Sequence, residues 1–269
     1  MAAAALGTKL ELKEDNPLPP VAPLQILFRR PLALVKEQLQ SMTEFAQATM
    51  SNPGVGSLHD GKAMQQGCLG YGFEWSENVP DFSGYRSIFF DPQFSKIQTI
   101  LSLSLGAHLA GGERVAPIAQ AFLAFGAKLA GDLSADAVVW NPARLVSEPG
   151  FFVETVNDYV GGGAFPVLAT VDFEYHENEY RLQSQGLAWF SGQEIALAGA
   201  GAQGQELARR AVRLIHDIAV NGPIIMHQYV ADLDTDLQIE LAPTGEANSI
   251  LNCHIRSKSD AKGKALTLH

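Results

Sequence analysis

With 269 residues, 46% of them hydrophobic and 18% charged, the chain is long enough to bury a substantial core and is neither disordered nor fibrous in composition. Its 19 basic and 29 acidic residues leave a formal net charge of −10, which argues against nucleic acid and anionic lipid as partners, because both select basic surfaces. Two cysteines, Cys68 and Cys253, without any CxxC spacing, exclude a thiolate zinc site and a thioredoxin-like redox pair.

Residues 1–22 read as an N-terminal arm, Ala-rich, then charged, then Pro17-Leu18-Pro19-Pro20, which joins neither a helix nor a central strand. The start lacks the basic lead-in and apolar run of a signal peptide, and the apolar stretch Ile97 to Gly112 is too short to span a bilayer. The expectation is a cytoplasmic protein with no membrane partner.

Leu24 to Phe28 reads as a short buried strand, and Pro31 opens an amphipathic helix over 32–50, stopped by Asn52-Pro53-Gly54. The next forty residues are Gly-rich and aromatic, with short strands expected near 68–75 and 85–90. Ile100 to Leu105 alternates leucine with serine, the pattern of a half-buried strand. Val115 to Leu129 is apolar nearly all round and reads as a sandwiched helix. Ala137 to Trp140 follows as a buried strand, and Pro149 opens a helix that ends at Gly161-Gly162-Gly163.

From there the pattern reads as a meander: strands over 166–175, 180–190 and 194–198. A last helix spans about 205–220, stopped by Asn221-Gly222-Pro223, and two strands at 232–241 and 249–256 close the domain around Pro243-Thr244-Gly245. The polar tail covers 257–269. Helices interleaved with hairpins predict an α+β fold on a mainly antiparallel sheet, not a doubly wound one. A single domain over 23–256 is expected, with a seam between two packed lobes near 95.

Two motifs invite a chemical reading. Gly199, Gly201 and Gly204 spell G-x-G-x-x-G between a strand and a helix, the local setting of a dinucleotide turn. The surrounding pattern lacks the βαβαβ frame that turn needs, and no acid follows where a ribose would be held. The competing reading is an Ala/Gly connection, with no cofactor. Asp232, Asp234 and Asp236 resemble a hard-cation site, but Leu237 and Pro243 stand where an EF-hand loop needs Gly and Glu. If Leu233, Thr235, Leu237, Ile239 and Leu241 take one face of a strand, the aspartates take the solvent face, and no metal is expected. Arg209, Arg210 and Arg213 read as the solvated face of the last helix. His227 and His254 read either as neighbours across the final sheet or as satisfied structural histidines, and Trp140 and Trp189 fit either core or binding anchors. No catalytic constellation emerges.

Ser184-Gln185-Gly186-Leu187-Ala188-Trp189-Phe190, followed by Gln193-Glu194-Ile195, resembles the T-x-G-L/M-x-x-F-G-x-x-E-I/L signature of domain of unknown function 4261. Ala135 to Trp140, Pro149 to Val156 and the turn Asn221-Gly222-Pro223-Ile224 extend the resemblance over roughly 100–256. Ser184 stands where the pattern prefers Thr, and Ser191 precedes Gly192 where it has a single Gly. The resemblance implies a bacterial, cytoplasmic α+β domain and carries over no catalytic residue. The resulting expectation is a non-enzymatic protein-interaction or regulatory protein, including an immunity-type role against a basic partner. The alternative is a small-molecule or nucleotide-binding protein or enzyme that uses loop 199–204.

Overall fold

A computed structural model describes residues 22–41, 63–66, 69–199, 202–232 and 235–257. The fold is α+β with two mixed, mostly antiparallel sheets. In chain order, the first sheet contains β1 (Leu24–Phe28), β2 (Ala63–Gln66), β3 (Leu69–Ser76), β4 (Arg86–Ile88), β5 (Thr99–Leu105), β6 (Ala137–Trp140) and β7 (Leu145–Ser147), laid out as β2-β3-β5-β1-β6-β7-β4. Helices α1 (Leu32–Ser41), α2 (Ala116–Asp132) and α3 (Pro149–Val160) accompany it. The second half of the helix expected over 32–50 lies outside the described residues.

Strand β1 is central because Leu24, Ile26, Leu27 and Phe28 are all fully buried, and even Gln25 is inside, donating from Nε2 to Ser102 Oγ at 3.2 Å on the paired strand. Taken with α1 and α2, strands β1, β3, β5 and β6 follow a βαββαβ path with every neighbouring pair antiparallel, the split-βαβ arrangement. Helix α2 lies close over β1: a Cβ added at Gly126 would come within 2.1 Å of Leu24 Cδ2. Tyr71 stacks on Phe125 at 4.3 Å, and burial pushes its phenol up to about 12.

β5 is buried on both faces over its first half, not on one. Leu101 and Leu103 meet α2's side, while Ile100 joins Leu27, Phe82, Ile97, Val139 and Val146 in a second cluster on the opposite face. The loops before β5 therefore act as the sheet's other cover.

The second sheet is built from β8 (Asp172–His176), β9 (Arg181–Gln185), β10 (Glu194–Ala198), β11 (Gln228–Ala231), β12 (Gln238–Thr244) and β13 (Ile250–Arg256), in the order β11-β12-β13-β10-β9-β8. Three short stretches depart from the sequence expectation. Val167–Thr170 forms a helical turn, α4, before β8 begins. Leu187–Ser191, expected as strand, is helix α5. β11, which lies outside the two closing strands expected at 232–241 and 249–256, pairs with β12, and the turn expected around 243–245 is a reversal over Gly245–Ser249. Helix α6 (Gly204–Asn221) buries Leu207, Ala211, Leu214, Ile215 and Ile218 against this sheet.

The two sheets part between Ser147 and Asp172, and position 95 falls inside the span of the first. One core nevertheless runs through both. Trp140 at the end of β6 stacks on Phe190 of α5 at 5.5 Å and meets Trp189 edge-on at 5.0 Å, so Trp140 is core and Trp189 is its half-buried partner. Among the described residues no helix is long and apolar enough to cross a membrane.

Candidate binding surface at an open sheet edge

Residues 184–195 form a closely bonded corner between β9 and β10. Gly186 adopts φ +104°, and a Cβ there would lie 2.7 Å from both Ala143 Cβ and Thr170 O, so only glycine fits. It starts α5, whose first amides need acceptors. Glu194 provides them from the next strand: Oε1 accepts from Gly186 N at 2.7 Å and Ala188 N at 3.0 Å, while Oε2 accepts from Ser184 Oγ. Gln193, 1% exposed, donates from Nε2 to Ile224 O at 2.9 Å and Asn248 O at 2.7 Å, and accepts from Ile224 N at 2.9 Å. One amide thus ties the end of α6 to the reversal between β12 and β13.

Beside Glu194 a hollow of about 390 Å³ is lined by Asp172, Glu174, Gln183, Ser184 and Gln185. Burial raises the Asp172 carboxyl despite its ion pair with Arg86 of β4. A second cleft of about 470 Å³ lies between Trp189, Pro23, Pro142 and Leu105.

The Gly-rich motif is divided by the structure. Residues 200 and 201 lie outside the described set, Gly201 with them. Gly199 packs against Ile255 and Gly204 against the Tyr175 ring, where added Cβ atoms would fall at 2.8 and 3.2 Å. Tyr175 also donates its hydroxyl to Ala202 O at 3.2 Å. The Tyr175 ring thus packs directly on Gly204 at the first turn of α6. β10 does have a parallel neighbour beyond α6, but that neighbour is β13, reached only after the β11–β12 hairpin.

The triple aspartate is not an outward strand face. The strand begins at Gln238, Asp234 lies outside the described residues, and Asp236 is exposed. Asp232 is inside, its side chain only 2% exposed, because Arg210 reaches it: Nε and Nη2 both lie 3.0 Å from Oδ2, and Thr235 Oγ1 donates at 2.6 Å. Strand periodicity placed this aspartate in solvent, and a partner upstream on α6 took it inward. Arg210, 10% exposed, likewise leaves the solvated helix face assigned to it. Among the described residues no group of three His, Cys, Asp or Glu side chains is arranged to hold a metal ion.

That buried pair closes one end of a groove of about 440 Å³ between α6 and the β11–β12 hairpin. Leu214, Ile218, Ile224, Val230, Ile239 and Leu241 form its walls, and Arg213, Asp217, Asn221 and Gln228 mark its rim. Just beyond, Val220, Ile225, Met226 and Tyr229 are exposed, with Ile225 at 65% and Met226 at 72%. Exposed apolar side chains beside an apolar groove characterise binding surfaces more than solvated ones.

On the opposite face, Glu240 accepts from Tyr229 Oη at 3.3 Å, meets His227 Nε2 at 3.0 Å and pairs with Arg256. The His227 contact, with help from Arg256, holds its carboxyl down at about 2 against the cost of burial. His227 therefore meets Glu240, the residue opposite His254, and not His254 itself. The cross-strand cluster fixes β11 to β12 and orients Tyr229.

Comparison of the chain with protein-family models, with curated proteins and with solved structures returns no match.

Proposed function

We propose that the protein is a non-enzymatic binding protein, an interaction or regulatory module whose working surface is the β11 edge with the groove beside α6. The observation that carries this reading is the coincidence of an uncovered apolar groove with Ile225 and Met226 exposed beyond its Ile224 wall and Tyr229 exposed on the other face of β11. Methionine and tyrosine supply adaptable and rigid contact area respectively, which suits recognition more than catalysis. The acidic balance of the chain favours a partner of basic overall charge, a protein and not a nucleic acid, with the Arg210 end of the groove as the local exception. A cytoplasmic setting, an immunity-type role and membership of domain of unknown function 4261 belong to the same proposal.

The test is affinity capture with the full chain as bait, quantified by mass spectrometry against an Ile225→Asp/Met226→Asp bait. A partner enriched by the natural chain and lost with the double variant supports the reading. Identical captured sets overturn it.

A smaller occupant is the second reading, favoured by the groove's volume, which falls in the range of small-molecule sites. Here the groove stands in place of loop 199–204, where Tyr175 packs on Gly204. Thermal-shift screening of metabolites separates the two, since a ligand at about 100 times its dissociation constant stabilises by about 2.7 kcal/mol.

A further inference from the structure

The backbone of β11 indicates how a partner would be held, given the binding role proposed above. Asp232 N donates to Leu237 O at 3.1 Å, in register with the β11–β12 pairs Val230↔Ile239 and Gln228↔Leu241. In an antiparallel ladder the bonded positions alternate, so the amides and carbonyls of Tyr229 and Ala231 point away from β12. Among the described residues nothing accepts from or donates to them, and no strand lies beyond β11. Gln228-Tyr229-Val230-Ala231 carries neither the charge nor the proline with which edges are usually protected.

We infer that this edge receives an extended segment of a partner protein as an added strand, with apolar side chains on alternate residues and an acidic side chain at the Arg210 end. The side-chain chemistry follows from the groove face. Val230 and Gln228 point there, so residues of an added strand on that face lie along the groove's open side and cover Val230 and its apolar neighbours. Arg210 turns Nε and Nη2 to Asp232, and among the described residues Nη1 makes no hydrogen bond at the groove's end. A carboxylate is its natural complement. A second copy of this chain fits less well, because β11 paired with β11 would bring only Gln228 and Val230 to that face, and its Asp232 is already held by its own Arg210.

The test uses the full chain and a fluorescein-labelled octapeptide of alternating valine and threonine with glutamate at one end, made in both directions. Two controls replace the glutamate with lysine or N-methylate alternate amides. Fluorescence anisotropy should find binding by one glutamate peptide, weakened about tenfold by lysine and at least about tenfold by N-methylation. Hydrogen exchange at the Tyr229 and Ala231 amides should slow when that peptide is bound. Equal binding of the N-methylated peptide, unchanged exchange at those two amides, or no binding by either glutamate peptide overturns strand addition. A captured partner that still depends on Ile225 and Met226 would, in that event, leave the binding role standing, whereas loss of that dependence removes the role itself.

Discussion

The second sheet has two edges, and the chain treats them differently. β8 presents Asp172, Glu174 and His176, with Asp172 tied to Arg86 of the first sheet and Glu174 near His176 at 3.8 Å. β11 presents uncharged residues, is anchored through Glu240 on one face, and borders an apolar groove on the other. Charge along an exposed edge discourages pairing with other chains. Protection at one end and its absence at the other are what the proposed use of the bare edge requires, because an unprotected strand is otherwise a liability.

The largest test of this contrast removes the charge buried behind the bare edge. Asp232→Ala leaves Arg210 unpaired in a largely buried position and should cost about 3–5 kcal/mol in urea unfolding, with the β11 amides losing exchange protection first. A cost below about 1 kcal/mol would mean that the ion pair does not hold the groove's end. At the protected end, Glu194→Ala removes the acceptor of three hydrogen bonds around Gly186 and should cost about 2–3 kcal/mol, sparing β11. If both variants loosen both edges equally, the two ends are a single cooperative unit and the contrast is superficial.

Acid should act on the bare end through Glu240. Its folded carboxyl titrates at about 2 against an ordinary 4.5, so its stabilisation is complete above pH 4.5 and is lost as pH falls through 2. Acid titration followed by the Tyr229 signal should therefore show a step in that window that Glu240→Gln removes. The smallest effect on stability, within about 0.5 kcal/mol, is expected from Ala231→Lys, which gives β11 the charge that β8 already carries. The same variant should abolish peptide binding; retained binding would mean that the edge is not the contact.

The elements with strong local signals were legible in the sequence. β1 reads as buried from five consecutive residues, α3 from Pro149 and its inward Phe152 and Val156, and α6 from regular apolar spacing ended by Gly222. The failures share a cause. Leu187 to Ser191 is as apolar as a strand, and what makes it helical is Glu194, a carboxylate delivered by the next strand. Asp232 fits the outward phase of a strand, and what turns it inward is an arginine on the preceding helix. β11 is too short and too mixed for any periodicity, and it is defined by the hairpin it makes with β12. The candidate surface was almost invisible for the same reason: its walls come from α6, β11 and β12, and its end from a pair joined only in three dimensions.

The parallel pairing of β10 with β13 has a consequence for how the chain is made. β10 is synthesised well before β13, with α6 and the β11–β12 hairpin between them, so one side of β10 has no strand to pair with until residues 250–256 have left the ribosome. Parallel, long-range pairings of this kind close late and slowly. The nascent chain passes through a stage in which Ile195 and Leu197, fully covered in the finished fold, border an open backbone. A chaperone that recognises unpaired strands would meet this protein first at that temporary edge.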